Sequence, residues 1–198
     1  MRTFVCVIPR SVQSVAALLQ KLPGVGEKIA LRYALALAGA DYTTPLSEAL
    51  AALPFAVQPC DACNALIEGD CPFCARTSDT ICVVHRFVDL LAIEKAANAL
   101  RMRYFVLDKL LAPLEGIDEQ DMPIAKLRAH VATAREIVLA LPASVDGEAT
   151  AMLLARHFEG LRVTQLARGL PHGGNLEHAD PVTVRNAFDK RLPPGEAR

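Results

Sequence analysis

Apolar residues recur at helical spacing from Ser11 to Ala38, on both sides of an interruption at Pro23–Gly26. Because apolar positions three and four residues apart line one face of a helix, and Pro and Gly break helices, the pattern predicts a helix, a tight hairpin and a second helix. A third, short helix is predicted from Pro45 to Leu53, with Thr44 as its N-cap.

The pattern changes after Thr80, where short apolar runs alternate with amphipathic segments. Such alternation is typical of a parallel sheet covered by helices on both faces. Strands are predicted at 81–84, 103–107, 136–141 and 162–164, and helices at 87–100, 124–131 and 147–158. A glycine-rich loop, 169–175, precedes a final helix that Asp180 caps and Pro181 begins.

These segments predict a multidomain fold that combines α and α/β parts. The predicted parts are a helical hairpin region at 1–55, a small cysteine module at 56–79, a parallel-sheet domain at 80–165, and a C-terminal glycine-rich loop with a helix at 166–198. A chain of 198 residues, 52% of them hydrophobic, has enough apolar residues for one ordinary core with a satellite module.

The cysteine module has the arrangement Cys60-x-x-Cys63 and Cys71-x-x-Cys74, with seven residues between the pairs. Each tight turn aims two thiolates at one point, and two such turns face to face complete a tetrahedral all-sulfur site for Zn²⁺. Because protein would fill all four positions, this metal would be structural. Two disulfides, or four unrelated core cysteines, are the alternatives.

The expected cellular compartment and the net charge of the chain limit the possible metal sites and binding partners. The apolar run Phe4–Ile8 is too short for a signal sequence or a membrane span, so a reducing cytoplasm is expected, which favours zinc over disulfides. The formal net charge is only -1, which excludes a general positive field that would attract nucleic acid. Any contact with DNA must therefore be local, or multiplied by assembly.

The hairpin between the first two helices can supply such a local contact. Gly24 and Gly26 let the amides that open the second helix approach a phosphate, which the helix dipole also favours. Lys28 and Arg32 lie four residues apart on one helical face. With Lys21, and with the acidic Glu27 subtracted, they give the segment 11–37 a net charge of +2. The sequence resembles the helix-hairpin-helix family of sequence-independent DNA binders. An ordinary turn with solvated basic side chains is the alternative.

Three carboxylates follow the predicted strands. Chemistry in an open parallel sheet gathers at the carboxyl ends of the strands, where Asp89 and the turn with Asp146 and Glu148 are expected. Together they can bind a hard cation such as Mg²⁺. The alternative makes Asp146 a helix N-cap, Glu148 a favourable first-turn residue and Asp89 a surface residue.

The order of the motifs identifies the chain as similar to a known family. The loop Ala112–Ile117, the segment Glu148–Ala151 and above all the run Gly169–Asp180 closely resemble the bacterial recombination proteins of the RecR family. The resemblance extends from about Ser11 to Arg191. It implies a helix-hairpin-helix, a four-cysteine zinc module, a Toprim domain and a short C-terminal segment, in that order.

The resemblance also implies a function. RecR proteins are DNA-repair mediators without catalytic turnover that form ring-like tetramers able to encircle DNA. They act with RecO, and in many bacteria with RecF, to load RecA onto single-stranded DNA coated by SSB. Matched to the family motifs, Lys28 and Arg32 would contact DNA, Cys60, Cys63, Cys71 and Cys74 would bind zinc, and Asp89, Asp146 and Glu148 would belong to the Toprim acidic cluster. Lys21, Gly24 and Gly26 of the hairpin are the further DNA-binding residues that we expect.

Two departures from the family pattern weaken the case for metal-dependent chemistry. Toprim domains normally have Glu after the first strand, where this chain has His85, and the family commonly has Gly-Gly after the second strand, where this chain has Asp108 and Lys109. A neutral imidazole does not replace a carboxylate as a Mg²⁺ ligand. A Mg²⁺-dependent Toprim nuclease and a purely protein-binding scaffold are the alternative functions.

Overall fold

The computed structural model describes residues 7–96, 101–167, 177 and 179–189. The chain divides into two compact units, Met1–Gln58 and Pro59–Arg198. The multidomain α and α/β fold class predicted from the sequence is confirmed, with a parallel sheet, several helices and a four-cysteine cluster. Within the described residues, no helix is both long enough and apolar enough to cross a membrane.

The described residues of the first unit form three helices: α1 at Arg10–Leu19, α2 at Glu27–Leu37 and α3 at Thr43–Ala56. Helices α1 and α2 pack through a small buried cluster that consists of Val12, Ala16, Ala30 and Ala34. The small alanine side chains let the two helix backbones approach closely. The predicted helix-hairpin-helix arrangement therefore has a small core of its own.

Helix α3 differs from its predicted bounds at both ends. It begins at Thr43, and Thr44 is not its N-cap, because the Thr43 hydroxyl donates a hydrogen bond to the Leu37 carbonyl at 2.6 Å and starts the helix earlier. Pro54, predicted to follow the helix, lies inside its last turn. The turn still closes because the Val57 N–H donates to the Leu53 carbonyl at 3.1 Å.

After α3 the chain forms a two-stranded sheet, β1 at Gln58–Pro59 and β2 at Leu66–Ile67, and then a four-stranded parallel sheet. The parallel strands are β3 at Thr80–Val84, β4 at Arg103–Val106, β5 at Glu136–Ala140 and β6 at Arg162–Gln165. Their order in the sheet is β4-β3-β5-β6, so β4 is an edge strand. The helices of the second unit are α4 at Phe87–Ala96, α5 at Ile124–His130, α6 at Val145–His157 and α7 at Pro181–Asp189.

The elements of the second unit agree with the sequence pattern to within a few residues. The strand β3 is almost wholly buried because it is central and apolar on both faces. Asp180 caps α7 as predicted, since its carboxylate accepts the N–H groups of Val182 and Thr183 at 3.0 and 2.9 Å. The end of the predicted helix 87–100, and the glycine-rich loop 169–175, lie outside the described residues.

Candidate metal centre and nucleic-acid interface

The four cysteines converge although they come from two separate turns. The Sγ atoms of Cys60 and Cys74 are 3.8 Å apart, and those of Cys63 and Cys71 are 3.6 Å apart. Among the described residues, these cysteines are the one group of three or more candidate ligands whose ligand atoms all lie within 4.8 Å of one another. Their convergence means that they are not four unrelated core cysteines.

The spacing of the sulfur atoms fits a metal and not a disulfide. A metal–sulfur distance of about 2.3 Å places the corners of a tetrahedron about 3.8 Å apart. A disulfide needs about 2.05 Å between its sulfurs, and all four thiols are free. The donor set and its size are therefore suited to a tetrahedral metal ion, with no position left for a substrate.

The thiols differ in how readily they ionise. Burial raises the pKa of Cys60, but the N–H groups of Cys63 and Ala62 outweigh it and lower the pKa to about 7. Burial is also the largest influence on Cys74, and it raises the pKa of this thiol to about 12. A cation at the centre would supply the charge that lets all four thiols ionise together.

The first cysteine turn is shaped by local hydrogen bonds. The Cys60 N–H donates to the Ala65 carbonyl at 2.8 Å, and the Asn64 N–H donates to the Cys60 carbonyl at 2.9 Å. Asn64 has a φ of 60°, in the left-handed region that Asn tolerates better than most residues. The second turn closes with a bond from Ala75 N–H to the Cys71 carbonyl at 3.4 Å.

The cysteine module is fastened to the sheet by a charged and aromatic cluster. Arg76 forms two hydrogen bonds with the Glu94 carboxylate, at 2.8 and 2.7 Å, and a third with the Met102 carbonyl at 3.0 Å. Its guanidinium also lies over the rings of Phe73 and Tyr104. Because Arg76 pairs with Glu94 through two hydrogen bonds and stacks on two aromatic rings, it stabilises the attachment of the module more than an exposed charge would.

The hairpin is a tight turn that ends at a helix start without a side-chain cap. Gly24 has a φ of 78°, which a side chain would disfavour, and the Val25 N–H closes the turn on the Leu22 carbonyl at 3.2 Å. Gly26 occupies the N-cap position of α2 without any side-chain cap. The first amides of α2 therefore have no intrahelical carbonyl partner.

The basic residues of the hairpin region are all exposed. Lys21 follows α1, Lys28 is in the first turn of α2, and Arg32 lies one turn further along the same helix. The Arg32 guanidinium is 5.9 Å from the centre of the Tyr33 ring. The expected DNA contacts therefore lie together in the first unit and are open to solvent.

The structure does not assemble the three predicted acidic residues into a tight cluster. The oxygens of Asp89, Asp146 and Glu148 do not all lie within 4.8 Å of one another. Asp89 accepts a hydrogen bond from the Arg86 N–H at 2.9 Å, which fixes the start of α4. Asp146 is not the N-cap of α6, because Ser144 is, and both Asp146 and Glu148 lie in the first helical turn.

Packing around Gly147 explains where α6 begins, and therefore where its two acidic residues lie. A Cβ at Gly147 would lie 2.1 Å from the Pro142 carbonyl oxygen, so only glycine lets α6 begin there. The fully buried Thr150 accepts a hydrogen bond from the Leu111 N–H at 2.8 Å and donates to the Asp146 carbonyl at 2.6 Å. The position of the acidic turn is thus set by contacts that acidic-residue spacing alone does not reveal.

The two departures from the family pattern meet at one end of the sheet. The Asp108 N–H donates to the His85 carbonyl at 2.8 Å. Burial and the neighbouring Arg86 lower the pKa of His85, against the opposing influence of Asp89 and Asp108. Asp108 has a φ of 64°, which is the conformation that the Gly expected there adopts without strain. An imidazole has no oxygen in either protonation state, so His85 supplies no anionic oxygen to this crevice.

The two units define a class of protein: a Toprim domain with a four-cysteine cluster that can hold a metal ion, in a chain that also has two helices joined by a tight hairpin. The Toprim domain family matches residues 79–167, and the family described as RecR, C-terminal matches residues 169–191. The chain belongs to the RecR family, which gives it a role in recombination.

Three relatives carry this assignment, each named Recombination protein RecR. That of Geobacter metallireducens is 44% identical over 181 residues, which are 87% of this chain and 91% of the relative. That of Geobacter sulfurreducens is 43% identical over 189 residues, covering 91% and 95% of the two chains. That of Myxococcus xanthus is 39% identical over 193 residues, covering 92% and 98%.

Proposed function

We propose that this protein is a non-catalytic DNA clamp of recombinational repair. In this proposal it acts with RecO, and with RecF where that protein is present, to promote loading of RecA onto SSB-coated single-stranded DNA in the cytoplasm. The observation that carries the proposal is the exposed hairpin, where the left-handed Gly24, the uncapped start of α2 and the basic pair Lys28 and Arg32 occur together. Such a surface suits phosphate oxygens and has no means of reading bases.

Assembly of several copies would raise the weak DNA affinity of a single hairpin. A single hairpin with three basic side chains binds DNA feebly at physiological salt, because each phosphate contact is screened. Four copies closed into a ring multiply the contacts on one strand. A homotetramer is supported by α3, which has no buried residue in this single chain and therefore has apolar surface available for another copy.

The test is DNA binding measured by fluorescence anisotropy on single-stranded and duplex oligonucleotides over a range of salt. The double variant Lys28→Ala and Arg32→Ala should bind at least about tenfold more weakly at low salt, with a shallower salt dependence. Lys95→Ala, which removes an exposed lysine from α4, is the matched control and should bind as the parent does. Unchanged affinity and salt slope in the double variant would mean that the hairpin is not the DNA contact.

For the cysteine site we propose structural zinc, held by Cys60, Cys63, Cys71 and Cys74. The support is a compact all-sulfur set of tetrahedral size. Metal analysis of the purified protein should find about one zinc per chain, and a strong chelator should lower the Tm. Absence of zinc together with an unchanged Tm would contradict the assignment.

The proposal gives Asp89, Asp146 and Glu148 no catalytic role. Its support is the imidazole of His85 at a position where a carboxylate is expected, and the hydrogen bond of Asp89 to the start of α4. The competing function is a Mg²⁺-dependent Toprim nuclease. Incubation of the protein with supercoiled plasmid and Mg²⁺ discriminates the two, because nicking that Asp146→Asn abolishes would establish the enzyme instead.

A further inference from the structure

The cysteine module takes the place of a neighbouring strand at the free edge of the sheet. Strand β4 is one of the two edge strands, so within the described part of the chain one row of its backbone groups has no partner strand. The Val106 N–H donates to the Cys63 carbonyl at 2.9 Å, and the Asn64 side-chain amide donates to the Val106 carbonyl at 3.0 Å. Both backbone polar groups of Val106 are thus satisfied by one metal-site residue and the residue after it.

Asn64 is the centre of this arrangement. Its N–H bonds the Cys60 carbonyl, its side-chain nitrogen bonds Val106, and its side-chain oxygen accepts from the Lys126 ammonium at 2.5 Å. Lys126, on α5, also donates to the Cys60 carbonyl at 3.2 Å. A divalent metal with four thiolates carries a net negative charge, which a neighbouring ammonium stabilises. Asn64 and Lys126 therefore connect the first cysteine turn to a strand and a helix of the sheet domain.

The residues that follow Val106 form the crevice at the carboxyl end of the sheet. The Leu107 N–H donates to the Val84 carbonyl at 2.9 Å, and Asp108 bonds the carbonyl of His85. A cavity of about 300 Å³ separates this loop from the cysteine module, and its lining includes Asn64, Phe87, Asp108 and Lys109. A shift of the first cysteine turn would pass directly to this loop, because Val106 is bonded to that turn on one side and leads into Asp108 on the other.

We propose that Asn64 and Lys126 couple metal occupancy of the four-cysteine site to the order of the Asp108–Lys109 loop. Metal binding holds the first cysteine turn in place, the turn holds the end of β4, and the end of β4 orders the loop at the carboxyl end of the sheet. The metal then acts on a surface of the Toprim domain as well as on its own module. This inference rests on the proposed metal site but not on DNA binding.

Hydrogen exchange followed by mass spectrometry on the full chain tests the coupling. Peptides that cover 103–109 should exchange about tenfold faster after zinc is removed by chelation, since the two bonds to Val106 loosen. Peptides that cover β5, which lies on the other side of β3, should change little. Equal loss of protection in β5 would show that the metal supports the whole unit and would overturn a specific coupling.

Two variants separate the connection from the metal site. Asn64→Gly keeps the left-handed backbone but removes the side-chain bonds to Val106 and Lys126, so it should still bind about one zinc per chain. Its 103–109 peptides should exchange fast with or without zinc. Lys126→Met lies outside the cysteine turns and should release zinc to a chromophoric chelator several-fold faster, whereas Lys126→Arg should restore slow release.

The outcomes distinguish the failures. If the parent protein binds no zinc, the metal assignment fails together with the coupling. If it binds zinc but the Asn64→Gly variant shows the same zinc-dependent protection at 103–109 as the parent, or if Lys126→Met releases zinc at the parent's rate, the coupling is wrong and the metal site stands. Zinc release is measured separately from hydrogen exchange, so the Lys126 pair still tests the proposal if the Asn64 variant folds poorly.

Discussion

The two units bury their apolar residues very differently. In the unit 59–198, all four apolar residues of β3 from Ile81 to Val84 have no exposed surface, and the cysteine module covers the adjacent edge. In the unit 1–58, the buried cluster of the described residues consists of one valine and three alanines. Helix α3 buries nothing, and the side chains of Leu50, Leu53 and Phe55 are 59%, 55% and 92% exposed.

The difference shows which unit buries its apolar residues within a single chain and which leaves them exposed. Helix α3 has one charged residue in fourteen, so most of its surface is apolar and is not stabilised by contact with water. Apolar surface of this kind marks a place where another protein surface binds. We therefore interpret the sheet unit as a self-sufficient fold, and α3 as a surface that completes its burial in the proposed tetramer.

The largest expected effect breaks the assembly of the first unit. Leu50→Glu with Phe55→Glu would place two carboxylates on the α3 surface, where another copy could not desolvate them. We expect the tetramer to be lost in light scattering coupled to size exclusion, with the Tm of the sheet unit unchanged. Leu114→Glu, at an exposed apolar position of the other unit, is the control and should remain assembled. An intact tetramer in the double variant would contradict the role of α3.

A second substitution tests how tightly the sheet unit is packed. Gly147→Ala would place its Cβ 2.1 Å from the backbone oxygen of Pro142, and backbone cannot move as a side chain can. We expect the free energy of unfolding in urea to fall by about 3 kcal/mol. Gly160→Ala, which meets no atom within 4 Å, should change it by less than about 0.5 kcal/mol. Equal effects of the two would show that α6 is free to shift.

Sequence patterns predicted the strands and the cysteine cluster of the sheet unit, but they did not predict the side-chain contacts within it. Strands such as β5 were predictable because the short apolar run Ile137–Ala140 leaves few alternatives, and the cysteine cluster because its spacing is restrictive. The predicted start of α3 was wrong because a hydrogen bond from Thr43 to the preceding helix sets its start, and the predicted end was wrong because Pro54 lies inside the last turn. Asn64 and Lys126 were missed because they are 62 residues apart and neither belongs to a motif.

A third test compares a sheltered ion pair with an exposed one. Arg76 and Glu94 have side chains only 24% and 22% exposed, whereas those of Arg135 and Asp79 are 87% and 57% exposed, with a 3.4 Å separation. Arg76→Met should lower the free energy of unfolding by about 2 kcal/mol, because it leaves Glu94 partly buried and unpaired. Arg135→Met should cost less than about 0.5 kcal/mol. A similar cost for both would mean that Arg76 does not fasten the module to the sheet.

The smallest expected effect compares one left-handed position in each unit. Gly24 of the hairpin and Asp108 after β4 have φ values of 78° and 64°. Asp tolerates this region but still costs more there than Gly, whereas Gly loses more entropy on folding. Asp108→Gly should therefore change the free energy of unfolding by less than about 0.5 kcal/mol.

Alanine lacks both the conformational freedom of Gly and the polar side chain that lets Asp tolerate the left-handed region. Gly24→Ala and Asp108→Ala should each destabilise their unit by about 1 kcal/mol. Urea unfolding monitored by circular dichroism measures all three variants. If Asp108→Ala proved as stable as Asp108→Gly, the loop would adopt another conformation in solution, and the family's preference for glycine at this position would need a different physical reason.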